Sequence, residues 1–230
     1  MKINHREPAY TDKAAPFIEE FGGKLGGLEF LRAYVPSLHE RIVETVFFKP
    51  GQDVDLDRVS QFDEDGVIMR GSHKNDFQGL VDVLKTEVVP GFKVDAAVEM
   101  VRNSGNLPEV MEFAKHENPD YDGKVVVGAQ PYHGNYWFNG SITAHPNNEG
   151  KFQIDTEMCD DQGKPGVRKL IEIYREIERA GLVKDDYAFQ VEYACLGKEN
   201  ILINQVRAFM KKEKGGEFEV DGGSPAWVFG

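Results

Sequence analysis

An α+β protein with most of its sheet in the second half is the fold class this chain predicts, on three observations. Segments 124–130 (KVVVGAQ), 135–144 (NYWFNGSITA) and 151–157 (KFQIDTE) read as consecutive strands, with turns containing Gly, Pro and Asn. Pro165 to Gly181 reads as a helix: Val167, Leu170, Ile171, Tyr174 and Ile177 form its apolar stripe, and Gly181 stands where a C-cap glycine belongs. Tyr187 to Phe209 reads as two strands joined through Leu196-Gly197-Lys198-Glu199. Helices and strands in mixed order give α+β.

The first half supplies the other elements. After a Pro-containing leader, Gly22-Gly23-Lys24 opens a stretch in which Leu25, Leu28, Leu31 and Tyr34 recur at helical spacing. Residues 41–48 (RIVETVFF) read as a strand, followed by a short helix near 55–62 and a turn at Asp63-Glu64-Asp65-Gly66. Val67 to Arg70 reads as another strand. Asp76 caps an expected helix towards Glu87 that Val89-Pro90-Gly91 ends. Helices over 94–103 and 107–116 follow, the second announced by Asn106 and Pro108. This reading divides the chain into an N-terminal lobe (1–120), a C-terminal lobe (121–214) and an irregular tail (215–230). No internal repeat is found.

Composition narrows the partners. The 230 residues are 40% hydrophobic and 29% charged, enough for a core. Thirty-nine acidic against 27 basic residues give a formal charge of −12, which disfavours non-specific binding to nucleic acid or an anionic membrane. An anionic nucleotide stays open, because a few Lys, Arg and backbone N–H groups reverse the potential locally. No apolar run approaches the ~20 residues that span a bilayer, and the N-terminus lacks a secretory h-region, so a cytoplasmic location is expected. Cys159 and Cys195 have no metal-ligand spacing and are expected as reduced, buried thiols. The histidines show no HxH or HExxH spacing; His73 reads as a local loop residue, and the 117–123 run as a solvated loop.

The terminal hairpin carries the most chemistry. If it is symmetric about its loop, Glu192 faces Gln205, Gln190 faces Arg207 and Val191 faces Val206. Glu192, Gln190, Gln205 and Arg207 then share one face. A carboxylate and an amide beside a guanidinium suit a divalent cation and a phosphate, since hard cations take oxygen ligands and the Arg fork matches phosphate. Gly22-Gly23-Lys24 reads either as an ordinary turn or as a loop whose N–H groups and ammonium face phosphate. Arg70-Gly71-Ser72 presents a guanidinium and a hydroxyl at a strand end, and reads either as a functional pair or as an ordinary surface Arg.

Together these segments resemble the ATP-binding domain of phosphoenolpyruvate synthases and pyruvate phosphate dikinases, an ATP-grasp fold. Phe21-Gly22-Gly23-Lys24 with Leu28 and Val35-Pro36 is similar to the family's GGK…L…VP opening. Val67 to Ser72 with Phe77 and Gly79 is similar to its VRSS…FAG segment. Val125 to Gln130, then Gly134-Asn135 and Ser141 to Pro146, resembles its VQ.M…GN…SGV.FT.DP stretch near the adenine. Gln190-Val191-Glu192-Tyr193 and Asn204-Gln205-Val206-Arg207 resemble its D[IV]E[WF]…LQ.R ending. The chain departs from the pattern with Arg-Gly-Ser for Arg-Ser-Ser, Gly128-Ala129-Gln130-Pro131 for VQ.M, and bulky Tyr136-Trp137-Phe138 in a Gly-rich stretch.

The resemblance implies two lobes with a nucleotide cleft, with ATP and Mg²⁺ as ligands. Glu192 and Gln205 would hold the metal. Lys24, Arg70 and Arg207 would meet the phosphates and act in catalysis, with Ser72 and Gln130 also in the nucleotide site. The family's phosphohistidine domain is not found in these residues, so the expected acceptor is a histidine of a separate protein or a small molecule. A nucleotide-sensing or partner-binding module without turnover is the alternative.

Overall fold

The computed structural model describes residues 9–62, 66–74, 86–89, 93–132, 138–144, 152–156, 164–196, 200–211 and 227–229. The chain forms two compact units. The first comprises Pro16–Gly26 and Glu44–Gly134, and the second Ala9–Ala15, Gly27–Val43 and Asn135–Gly230. The main boundary thus falls after Gly134 rather than at residue 120, and an early segment is shared between the units.

The first unit is built on a four-stranded sheet in the order β1 (Val46–Phe48), β4 (Val126–Pro131), β2 (Val67–Ser72), β3 (Thr86–Val89), each pair antiparallel. Alternation sends Val67, Met69, Val127, Ala129, Val46 and Phe48 into one buried cluster. There they meet Val94, Ala97, Val98 and Val101 of α2 (Val94–Ser104), and Val110 and Ala114 of α3 (Pro108–Glu117). Fully burying an aliphatic side chain of this size stabilises by about 1.5–3 kcal/mol, so this face anchors the unit. The other face carries Arg70, Gln130 and Phe47, and is packed by the first part of α1 (Ala15–Tyr34) through a Phe21–Phe47 ring contact at 4.7 Å.

Helix α1 is kinked rather than continuous. Gly22 sits at φ 79°, ψ 170°, and the Cβ of any other residue would lie 2.2 Å from the Ser72 hydroxyl. Both the positive φ and the close approach demand glycine.

The second unit is a five-stranded antiparallel sheet in the order β8 (Ile201–Lys211), β7 (Tyr187–Cys195), β5 (Phe138–Ala144), β6 (Phe152–Thr156), β9 (Trp227–Phe229). Helix α4 (Lys164–Ala180) covers one face. Tyr174 stacks on Phe189 with centroids 4.0 Å apart and planes 7° from parallel, while its hydroxyl donates to the Phe189 carbonyl at 3.0 Å. Burial holds the Tyr174 phenol well above its ordinary range. Residues 27–34 of α1 also belong here, and Gly27 lies so close to β8 that an added Cβ would stand 2.0 Å from the Val206 carbonyl oxygen.

Several expectations change. The 41–48 run is a strand only over Val46–Phe48, preceded by a 3-10 helix at Pro36–Arg41. The run is divided between the units: Ile42 bridges Ile203 and the Val43 N–H donates to the Ile203 carbonyl, so only the later residues reach the first sheet. Residues 55–62 make turns closed by Val59 and Ser60 N–H groups on the Leu56 carbonyl, without a helix. The helix expected from Asp76 lies largely outside the described residues, and its end, Thr86–Val89, is a strand completing the sheet beside β2. Strand β4 does not continue into β5; it is a central strand of the first sheet, where both neighbours hide its backbone. Trp227–Phe229, expected in an irregular tail, pairs with β6. Cys195 is buried and free, and burial pushes its thiol up to about 12; Cys159 lies outside the described residues. No helix among the described residues is long and apolar enough to cross a membrane.

Candidate functional site

The β7–β8 register is the one the sequence predicts. Gln190 stands opposite Arg207, Val191 opposite Val206 and Glu192 opposite Gln205, with irregularities on either side at Ala188/Phe189 and Glu192/Tyr193. Val191 and Val206 are fully buried on the core face. The opposite face collects the polar groups. The Gln205 amide donates to Glu192 Oε1 at 3.1 Å, and Arg207 donates to Gln190 Oε1 from Nε at 3.2 Å and from Nη2 at 2.9 Å. Strand β5 adds Ser141, opposite Glu192, whose hydroxyl accepts from the Gln190 amide at 3.1 Å. Two adjacent hairpin strands therefore bring Glu192, Gln205 and Arg207 together, as the sequence predicts.

This donor set fits a small hard cation. Glu192 supplies a carboxylate, and Gln205 supplies a carbonyl oxygen once its amide turns over from the hydrogen bond it now makes. Magnesium is commonly held by one or two protein oxygens, its other positions going to water and phosphate. Among the described residues no three His, Cys, Asp or Glu side chains cluster as a metal centre.

In the first unit, Arg70 and Gln130 are joined. Arg70 Nε donates to Gln130 Oε1 at 3.0 Å, and the Gln130 amide donates to the Thr45 hydroxyl at 3.2 Å. The register explains the contact, because Arg70 faces Gly128 and Ile68 faces Gln130, which puts the two side chains diagonally on one face. Gln130 is 1% exposed, so its amide is held in place.

Lys24 and Ser72 also meet, in a way the sequence reading did not foresee. The Ser72 hydroxyl accepts from the backbone N–H groups of Lys24 at 3.1 Å and Leu25 at 3.3 Å, while the Gly23 N–H donates to the His73 carbonyl at 2.9 Å. The donors expected to face phosphate are thus engaged by β2, and the fully buried Ser72 caps the second half of α1 from a remote strand. The Lys24 residue itself is 4% exposed.

His73, expected as a local loop residue, is 1% exposed. Its Nε2 lies 2.9 Å from Asp122 Oδ1 and its ring packs on Tyr121 at 4.4 Å. Asp122 is desolvated, which alone raises a carboxyl, but the His73 hydrogen bond, the Lys124 N–H and nearby positive charge together hold it below its ordinary range. Gln190, expected opposite Arg207 on the polar face but not as a ligand, holds that guanidinium, and Thr45 is a residue the sequence did not mark. Gln190's place opposite Arg207 was the available signal; nothing local marked Thr45.

No protein-family model matches the chain, and no curated protein matches it. Solved structures do. D-alanine–D-alanine ligase from Bacillus anthracis, complexed with ATP, has a TM-score of 0.50 at 8% identity, over 87% of this chain and 56% of that one. N5-carboxyaminoimidazole synthase from Aspergillus clavatus, in complex with ADP and 5-aminoimidazole ribonucleotide, has a TM-score of 0.49 at 12% identity, over 88% of this chain and 47% of that one. The chain spans about half the length of these proteins. The ligase comparison identifies the fold as an α+β fold of the ATP-grasp type. At this identity the likeness concerns fold alone.

Proposed function

We propose that this ATP-grasp chain binds ATP with Mg²⁺ and transfers a phosphoryl group to a separate acceptor, a protein histidine or a small molecule. The observation that carries the reading is the polar face of the β7–β8 hairpin, where Glu192 and Gln205 pair beside Arg207. In this reading Glu192 and Gln205 hold the metal, and Arg207 meets the phosphate whose charge shifts during transfer. Arg70 and Lys24 add positive charge in the first unit, with Gln130 orienting Arg70. Ser72 serves the nucleotide indirectly, by fixing the backbone at Lys24.

Magnesium supplies charge neutralisation across the phosphate oxygens. The chain's groups supply positioning and electrostatic stabilisation, which account for most of the catalysis in phosphoryl transfer. The motif order shared with phosphoenolpyruvate synthases and pyruvate phosphate dikinases favours phosphotransfer over the ligation named for the structural neighbours. The neighbour with the TM-score of 0.50 is an ATP complex, which suits a nucleotide ligand for this fold.

The test is incubation with ATP labelled in turn at the γ and β positions, with candidate acceptors present. Release of ADP or AMP together with a labelled acceptor is expected. Nucleotide binding with no turnover under any acceptor would leave the chain a sensor module. Absence of binding would remove the reading altogether.

A further inference from the structure

Two irregularities bracket the polar pairs of the β7–β8 hairpin. Ala188 faces Met210 but Phe189 faces Ala208, and Glu192 faces Gln205 but Tyr193 faces Ile203. Strand β8 thus carries an extra residue on each side of the site, Phe209 on one and Asn204 on the other. Bulges of this kind bend a strand locally and re-aim its side chains. β8 also ends the order of its sheet, so among the described residues no further strand lies along its outer edge apart from the Ile42 bridge. Remote segments of the same unit hold it instead. Beside one bulge the Val43 N–H donates to the Ile203 carbonyl at 3.1 Å, and beside the other the Ala208 N–H donates to the Tyr10 hydroxyl at 3.0 Å.

Tyr10 is itself anchored. It bridges Val183, the Thr11 N–H donates to the Leu182 carbonyl at 3.3 Å, and the Lys184 N–H donates to the Ala9 carbonyl at 2.9 Å. The Thr11 hydroxyl adds a bond to the Gly181 carbonyl at 2.7 Å. Residues 9–11 are thereby tied to the turn between α4 and β7, and Tyr10 is 5% exposed. Its hydroxyl meets the peptide that joins Arg207 to Ala208. A peptide unit is planar, so holding its N–H constrains the Arg207 ψ angle and the direction in which that long side chain leaves β8. We propose that Tyr10 is a positioning residue for the nucleotide site: its hydroxyl holds the Arg207–Ala208 peptide and so directs the Arg207 guanidinium at the phosphates. Gln190 holds this arginine at its tip and Tyr10 holds it at its root. The inference rests on the nucleotide reading above and adds to that site a residue 198 positions from Ala208.

Tyr10→Phe removes the hydroxyl and keeps the ring. Wild type and variant would be compared by proton–nitrogen NMR of the Arg207 Nε–H in nucleotide-free protein, assigned with Arg207→Lys. The Arg70 Nε–H, held by Gln130 in the first unit, serves as the internal control. Both proteins would then be titrated with Mg²⁺–ATP and with adenosine. In Tyr10→Phe the Arg207 signal should move and exchange faster with solvent, while the Arg70 signal stays in place. ATP affinity should fall about fivefold, with adenosine affinity unchanged. A lower urea midpoint is also expected, because a buried N–H loses an acceptor, but a merely structural role would lower it too.

An unmoved Arg207 signal, or wild-type ATP affinity in Tyr10→Phe, would overturn the proposal. So would ATP and adenosine affinity falling together, which would make Tyr10 merely structural. Wild-type protein that ignores ATP would instead sink the nucleotide reading, with which this assignment falls. A displaced Arg207 signal would then locate the fault in the ligand and not in the link from Tyr10 to Arg207, so the two failures are distinguishable.

Discussion

Both units hold an arginine on a glutamine amide that a hydroxyl orients, but they assemble it differently. In the second unit Ser141, Gln190 and Arg207 sit on adjacent antiparallel strands, two of them joined by a short connection. In the first, Thr45, Arg70 and Gln130 arrive from three separated segments, and Arg70 and Gln130 meet only because β4 inserts between β1 and β2. One arrangement is a property of a hairpin, and the other is a property of a whole sheet. The difference teaches that the first should fail with any loss of sheet order, whereas the second should depend mainly on one strand pair.

The largest effect should come from the charges themselves. Arg207→Met is expected to lower phosphotransfer by at least ~100-fold, with an unfolding midpoint close to wild type. Arg70→Met should also lower turnover, with some loss of stability because its partner Gln130 is buried. Equal activity in wild type and Arg207→Met would remove Arg207 from the mechanism.

Next in size is Gly27→Ala, which tests what supports the hairpin from behind. Its Cβ would meet the Val206 carbonyl at 2.0 Å, so helix and strand must separate, at an expected loss of about 1–3 kcal/mol in urea unfolding. Gly22→Ala should cost a comparable amount, about 1–3 kcal/mol, through its positive φ and the clash with Ser72. The two substitutions diverge in function. A rise in ATP Kd is expected from Gly22→Ala through displacement of Lys24, and from Gly27→Ala through displacement of Arg207.

Ser72→Ala should lower stability by about 1 kcal/mol, the usual loss for a removed helix cap. A far larger loss of ATP affinity than of stability would mean that Ser72 touches the nucleotide itself.

The smallest effect is the pH dependence carried by Asp122. Its carboxyl is held below the ordinary value of 3.8, so the folded state favours the charged form. That contribution is complete above the unfolded value and disappears as pH falls through the lower folded one. Acid unfolding of Asp122→Asn should therefore be less steep below about pH 4 than wild type. Identical acid limbs would show that the His73 pair contributes nothing.

How far the sequence could be read follows from the same contrast. The Glu192–Gln205 and Gln190–Arg207 pairs were legible because a short connection and period-two alternation determine which residues face each other. Helix α4 was legible from its apolar stripe and from Gly181, and α3 from Asn106 and Pro108 at its start. Thr45 was not, because its partner lies 85 residues away and no local pattern links them. The Ser72 cap on α1 was hidden for the same reason, at a separation of 48 residues. The 41–48 run misled because apolar alternation says that residues are buried, not in which of two units they are buried. His73 read as a loop residue because its acid partner, Asp122, comes from a distant turn.

The most direct test of the central claim is a thermal-shift titration with ATP, with and without Mg²⁺, on wild type and Glu192→Gln. A ligand that binds only the folded state adds about 2.7 kcal/mol of stability at a hundredfold excess over Kd. The predicted result is a Mg²⁺-dependent rise in wild type that is lost in Glu192→Gln. No shift in wild type, or the same Mg²⁺-dependent shift in both proteins, would contradict the assignment of metal and nucleotide to the β7–β8 face.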